Sequence, residues 1–461
     1  MGENFFANFL NFTMFWGIWL LAPLMFDVST AVIYLVTLYS HRPNKDEEEQ
    51  EQEAGLSYYP PVTIVVPVHD SANTLEKCLT SIAEQSYPVH YIQVICANNG
   101  STDHSFEVFQ RFQYEHQEMA LTWTSLERSN KSIALNAGIY SGQGSYLINV
   151  DSDTYLDKEA VMEIVKAFEQ DNDLVAVTAT IRVNKTLGAF NSFLDLVNYC
   201  EVIEYLLAFD IGRRFQTLMN TLFTLSGAFS AFRRDVILQS YLYLDNTVSE
   251  DTDLTYRIRK KVESQKGKIG CVQKAIAYVE PIDSMSRLYS QRVRWQRGQI
   301  EVASTYFERF PNPWQALLDF TGRILILDHT LVFSRLAWTF LIPFLYFLGY
   351  SLPMVVISII GLYVCYLLLD TLFFVVAYKG ATKPLRQELR KIPWVVFFLP
   401  IYRYLSYWFR LSGVIKVLTE PKSWSTTNPI TQAIENFKQD KEKLAKIMFR
   451  KKNMEHVKTD G

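Results

Sequence analysis

The sequence predicts an α/β fold, a mixed and mostly parallel sheet covered by helices, joined to apolar helical segments. Three observations carry that expectation. Short β-branched runs alternate with amphipathic segments from Pro60 to about Glu280, the βα succession of a largely parallel sheet. Long apolar stretches flank this region on both sides. Acidic and amide-rich turns follow directly on apolar runs, where ligands of open α/β sheets gather.

In chain order, Phe12–Tyr39 is apolar apart from Pro23 and Asp27. Its length suits one tilted span, which needs ~20 residues, rather than two. No basic stretch precedes it and no small-x-small cleavage site is evident, so a retained anchor is expected over a cleaved signal. Lys45–Glu53 carries six acids and reads as a solvated tether. Strands are expected near Val62–Val66, Ile92–Cys96, Leu121–Thr124, Ser145–Val150 and Val175–Thr180. Helices are expected near Thr74–Glu84, His104–Glu115, Lys131–Gly138 and Lys158–Glu169. Apolar spans return near Leu331–Gly349 and Val355–Ala377, and Ile392–Leu418 reads as one long span or a broken pair. The Lys379–Lys391 loop sets five Lys/Arg against Glu388 alone, which points it to the cytoplasmic side.

Composition narrows the function. With 461 residues, 45 Lys+Arg against 48 Asp+Glu and a formal charge of -3, the chain is no globally basic nucleic-acid binder. A hydrophobic share of 49% excludes a disordered chain. Five scattered cysteines without a CxxC pair form neither a disulfide framework nor a zinc cluster, and fit a reduced compartment.

Three constellations carry chemistry. Asp151-Ser152-Asp153 follows the apolar run Tyr146–Val150, and two carboxylates at a strand end can share Mg²⁺ or Mn²⁺ with phosphate oxygens. Most such triplets are ordinary surface acids, so placement is what raises this one. Glu250-Asp251 opens SEDTDLTYRIRK. It reads either as helix-terminal acid behind a Ser249 cap or as a catalytic pair with Asp251 the general base. Gln291-Arg292-Val293-Arg294-Trp295 sets the planar fork of Arg294 beside an aromatic face. An interfacial amphipathic helix is its plainer reading. Around the first strands, His69, Asp70, Asn98, Asn99 and Asp103 are candidates for a nucleotide, and Lys131 opens a helix within reach of a phosphate.

The ordered segments VPVHDSANTLEKCLTSI, CANNGSTD, SNKSIALNAG, VDSDT, SGAFSAFRRDV, SEDTDLTYRI and QRVRW resemble family 2 glycosyltransferases of the membrane-integrated polysaccharide-synthase type. That group makes cellulose, chitin, hyaluronan and poly-N-acetylglucosamine. The resemblance implies a GT-A domain, a nucleotide-diphosphate sugar donor, usually UDP-linked, and a growing glycan acceptor, with no nucleic acid. By similarity Asp151 contacts the nucleotide end and Asp153 the metal, Asp251 is the base of an inverting displacement, and Gln291 and Arg294 line the diphosphate. Trp295 faces the acceptor, with Ser226 and Gly227 in the acceptor-side floor. Two departures stand out. Asn98 and Asn99 replace a commonly acidic pair, and His69-Asp70 replaces an Asn-Glu pair.

The organisation expected is an anchor (1–40), an acidic tether (41–58), a catalytic domain (59–280), interfacial helices (281–325), a transmembrane region (326–418) and a tail (419–461). It implies a multi-pass cell-membrane protein with its catalytic domain cytoplasmic, the bilayer and accessory synthase subunits being its further partners. One-step transfer to a lipid or short acceptor is the alternative activity, though simpler lipid-sugar transferases usually lack Q-x-x-R-W. A catalytically silent membrane component is the alternative of another class, against which Asp151, Asp153 and Asp251 weigh.

Overall fold

The computed structural model describes residues 22–40, 56–126, 130–245, 247–262, 267–307, 336–337 and 339–419. The acidic tether to residue 55, the start of the expected anchor, residues 308–335 and the tail from 420 lie outside the described residues.

The centre is built by β1 (Val62–Val68), a run of seven buried residues. Val, Ile and Thr stiffen its χ1 and fill both faces, as an interior parallel strand requires. Side-chain alternation divides the core into two layers. Ile64 and Val66 point to one, packed with α1 (Leu75–Ala83), α2 (Ser105–Glu115) and α3 (Ala160–Gln170) through Leu79, Phe109 and Phe168. Val65 points to the other, with Leu135 and Ile139 of α4 (Lys131–Ser141) and Ile258 of α5 (Glu250–Val262). Labels below follow the order in which elements enter.

The eight strands run in the order β3-β2-β1-β4-β7-β6-β8-β5. Here β2 is Ile92–Asn98, β3 Ala120–Ser125, β4 Tyr146–Val150, β5 Thr154–Leu156, β6 Leu174–Val183, β7 Phe229–Arg233 and β8 Lys268–Val279. Strands β3, β2, β1 and β4 are mutually parallel, as are β6 and β8. Antiparallel β7 is inserted between β4 and β6. Parallel register sets Val68 level with Asn98, so the turns after β1, β2 and β4 share one edge. Antiparallel register sets Phe229 beside Val150. The residues leading into β7 therefore arrive next to those leaving β4.

A second layer of helices closes that edge. α6 (Phe193–Tyr205) runs into a π-helical stretch, Leu206–Ile211, and α7 (Gly212–Leu218). α8 (Met285–Phe307) carries the QRVRW segment and packs along α9 (Leu399–Thr419). There Arg410 Nε donates to Gln296 Oε1 at 2.6 Å.

The expected multi-pass topology is corrected here. Among the described residues, only Leu352–Gly380 (α10) is long and apolar enough to cross a bilayer, and the apolar Leu24–Tyr39 is shorter. The physical reason is visible at Ile392–Leu418. Hydropathy reports how apolar a segment is, not what covers it. This run divides into a 3₁₀ stretch, Pro393–Phe397, and α9, and α9 buries Tyr402, Ser406, Tyr407 and Gly413 within the protein. Arg403 pairs with buried Asp370 of α10 at 2.5 Å. The cytoplasmic placement of Pro60–Phe320 rested on that topology and falls with it.

One buried acid makes folding pH-dependent. Glu201 of α6 is 1% exposed and accepts from the Ile282 amide. Burial pushes its carboxyl up from 4.5 to about 7, opposed by Arg292. The native state thus keeps a proton that the unfolded chain releases, and stability falls as pH rises from about 4.5 to 7. Glu201→Gln should flatten this slope, its advantage over the parent growing across the window to about 3 kcal/mol. Thermal unfolding from pH 4 to 8 measures it, and parallel curves for the two proteins would contradict the assignment.

Candidate active site

The edge formed by the turns after β1, β2 and β4 is knit tightly. Asp70 takes the left-handed backbone at φ 45°, and its Oδ1 accepts from the Thr102 amide at 2.8 Å. That bond first, then loss of hydration against it, leaves its carboxyl below the ordinary range. Asp103 spends both oxygens locally, Oδ2 on the Ala72 amide at 2.8 Å and Oδ1 on Ser105. Asn98 Oδ1 accepts from the Ser101 amide at 2.9 Å, an Asx turn. Ser71 and Ser152 hydroxyls meet at 2.7 Å and tie the β1 turn to the DSD turn. So Asp103 and Asn98 shape the loop, whereas Asn99 Oδ1 is buried with no hydrogen-bond partner among the described residues. Of these amides, Asn99 has acceptor capacity to spare.

The charged centre lies at the β4–β7 junction. Asn130 caps α4, its side chain accepting from the Ile133 amide, and this sets Lys131 on the first helical turn. Lys131 Nζ is 2.7 Å from Asp151 Oδ1 and 3.5 Å from Glu250 Oε1. Burial alone would lower this ammonium, but Asp151 and Glu250 outweigh it and hold it above its usual value. Burial also raises the Glu250 carboxyl, with Lys131 opposing and Asp251 adding. Arg294 acts electrostatically on both Lys131 and Glu250.

Glu250 and Asp251 then divide. Glu250 is buried against Lys131. Asp251 points elsewhere, its Oδ2 accepting from the Gly227 amide at 3.3 Å and its Oδ1 from Thr252 at 2.7 Å. Gly227 is the point on which the cluster converges. A Cβ there would lie 3.4 Å from Lys131 Nζ, 3.7 Å from Asp251 Oδ2 and 3.8 Å from Asp151 Oδ2. Ser226 beside it donates its amide to Thr178 Oγ1 at 3.1 Å, and Arg213 donates to the same oxygen at 2.9 Å.

α8 approaches from the other side. Its Gly298 lets the loop before α5 come close, since a Cβ would meet the Ser249 side chain at 2.4 Å. Glu301 accepts from the Val248 amide at 3.0 Å and pairs with fully buried Arg297 at 2.9 Å. Ser249 supplies the carbonyl that takes the Asp253 amide. Acids in the first turn of α5 and Arg259, Lys260 and Lys261 in its last turn match the helix dipole. Gln291 donates to the Tyr205 hydroxyl at 3.4 Å. Trp295 packs against Phe209 of the π-helical stretch at 5.6 Å. π-Helical turns occur often at functional sites.

Asp153 is half-exposed, with Arg287 3.9 Å away. Desolvation in the cleft, then the Asp151 charge, raises its carboxyl. Among the described residues no three His, Cys, Asp or Glu side chains are grouped to hold a metal. The donor set is two carboxylates whose like charges repel. That fits a hard cation completing its shell with substrate phosphates and water, as Mg²⁺ does, and does not fit an all-protein cage.

Of the residues singled out in the sequence, the structure brings Lys131, Asp151, Glu250, Asp251 and Gly227 together, with Arg294 acting on them electrostatically. Thr178 and Arg213, which meet beside Ser226, carry no local motif that would have marked them.

Residues 63–239 match the model of "Glycosyl transferase family 2". A poly-β-1,6-N-acetyl-D-glucosamine synthase of Staphylococcus aureus (strain MSSA476) is 23% identical over 316 residues, 66% of this chain and 70% of that protein. The Staphylococcus epidermidis protein of the same name is 25% identical over 258 residues, 56% of this chain and 57% of its own length. A mannosyltransferase from Pyrobaculum calidifontis, solved with GDP-Man and Mn²⁺, superimposes with a TM-score of 0.53 at 16% identity, covering 86% of this chain and 95% of that one. The mixed sheet is therefore GT-A-like. Residues 63–239 thus form a catalytic domain of the family 2 glycosyltransferase type.

Proposed function

We propose that this protein is an inverting transferase that takes sugar from a nucleotide-diphosphate donor and extends a β-linked extracellular polysaccharide. The convergence of Lys131, Asp151, Glu250 and Asp251 on Gly227 carries the reading. The names of the staphylococcal relatives support a polysaccharide product and make UDP-N-acetylglucosamine the first donor to test.

In this reading the nucleotide lies across the β1, β2 and β4 turns, with Asn99 and Asp70 nearest its base and Asn98 and Asp103 holding the loop. Lys131, Arg294 and Gln291 meet the diphosphate, the arginine through its planar fork. Mg²⁺ or Mn²⁺ would be held by Asp153 and Asp151, and when bound supplies positive charge opposite the departing diphosphate. Lys131 keeps Asp151 turned toward this centre and neutralises Glu250. Asp251 accepts the proton of the acceptor hydroxyl at Oδ2, the oxygen that now faces the Gly227 amide. The hydroxyl oxygen bonds to the anomeric carbon as the bond to the diphosphate breaks, and the diphosphate leaves with its electron pair. Ser226, Gly227 and Trp295 form the acceptor side. Glu250 supports the site as a charge partner, with Asp251 alone in the proton-accepting role.

Two substitutions separate the roles. Asp251→Asn should bind UDP-N-acetylglucosamine as the parent does in calorimetry, yet transfer roughly 10²–10⁴-fold more slowly, because an amide oxygen is a poor proton acceptor. Near-parental transfer by folded D251N would exclude it as base. Asp153→Asn and chelation should each nearly abolish turnover with the fold intact by circular dichroism, and Mn²⁺ should restore only the chelated parent. Full activity of the metal-stripped parent or of D153N would remove the metal from the scheme.

A further inference from the structure

Arg292 occupies one of the two unassigned positions of the QRVRW segment, yet its side chain is 3% exposed. Its Nη2 lies 2.6 Å from Glu204 Oε2 of α6 and donates to the Tyr402 hydroxyl of α9 at 3.1 Å. The same hydroxyl donates to Glu204 Oε2 at 2.6 Å, closing a three-membered ring of contacts. Three helices distant in sequence meet at this one guanidinium. Its other terminal nitrogen, Nη1, donates to Gln291 Oε1 at 3.0 Å. Its carbon lies 4.5 Å from the centroid of the Trp295 ring.

A buried cation is costly unless paired, and a paired one with fixed donors specifies geometry more than it stabilises. The planar fork has several directions of hydrogen bonding and a flat face, and here both terminal nitrogens and the face are used. Two directions are fixed by Glu204 and Tyr402, one turns the Gln291 amide, and the face covers part of the indole. Phe209 and Tyr205 hold the rest of the ring at 5.6 and 6.3 Å. The indole is thereby restricted to one pose, leaving only its exposed remainder for a ligand.

We infer that Arg292, clamped by Glu204 and Tyr402, is the positioning residue that orients Trp295 for the acceptor glycan. The inference rests on the reading of Trp295 as an acceptor-side surface. Arg292 itself touches no reacting atom.

The experiment measures acceptor KM, donor affinity and product length, with UDP-N-acetylglucosamine as donor and a short β-linked N-acetylglucosamine oligosaccharide as acceptor. The variants are Arg292→Met, Arg292→Lys, Tyr402→Phe, Trp295→Ala and the double variant R292M/W295A. Trp295→Ala and Arg292→Met should each raise acceptor KM and shorten products, with chain extension slowed roughly 10–10²-fold by misplacement, and W295A should keep the parental donor affinity. The double variant should be no worse than W295A alone, since Arg292 acts through Trp295. Arg292→Lys keeps the charge but not the fork and should resemble R292M. Tyr402→Phe, which removes one hydroxyl, should shift the same readouts less at unchanged unfolding temperature. Parental kinetics in R292M, full rescue by lysine, or effects of R292M and W295A that add in full would overturn the inference while leaving the acceptor reading intact. Parental product length in W295A would overturn that reading, and the inference with it.

Discussion

Lys131 stands 2.7 Å from Asp151 and 3.5 Å from Glu250, and each partner reaches it from a different part of the chain. Asp151 comes from the end of β4, Glu250 from the start of α5 and Lys131 from the start of α4. Two acids facing each other in a desolvated cleft would repel, and removing a partner from a buried ion pair typically costs roughly 3–5 kcal/mol. The ammonium allows these helix and strand ends to share one small volume. Gly227 keeps that volume open, and the antiparallel insertion of β7 delivers Gly227 to it. Sheet order and charge balance are therefore two sides of one constraint.

A single helix governs the opposite wall. α8 carries Gln291, Arg294 and Trp295, then Arg297, Gly298 and Glu301 within the next two turns. The first set faces the substrate cleft in the proposed mechanism. The second clamps the Thr247–Ser249 approach to Asp251 through the Val248 amide and the close passage of Gly298. Any shift of α8 moves both walls together, so Asp251 and Trp295 keep their spacing. This is the form of preorganisation that positional catalysis depends on.

Much of this was legible because it is local. Strands β1, β2, β3, β4 and β6 and the helices between them fall within a few residues of the sequence expectation, since β-branched runs and amphipathic periods are written over short windows. β5, β7 and β8 were not assigned. β5 has three residues, β7 five, and β8 mixes Lys268, Gln273 and Lys274 into a half-exposed strand. The acidic motifs were legible as types and spacing, but their division of labour was not. Nothing local says that Glu250 turns to Lys131 while Asp251 turns to Gly227, because both partners lie more than twenty residues away. Asn98 and Asp103, expected to meet the nucleotide, are committed to their own loop. The apolar run Ile392–Leu418 misled for the same reason, as its cover is protein contributed from elsewhere in the chain.

The central claim is that one base and one displacement act at this cluster, with no enzyme nucleophile between donor and product. The anomeric configuration of the first sugar transferred tests it most directly. ¹H NMR of short products from an α-linked UDP-sugar, read by the coupling constant at the new anomeric centre, reports whether the configuration has inverted. The account predicts a β-linkage from the earliest turnover. An α-linkage at that centre would contradict it.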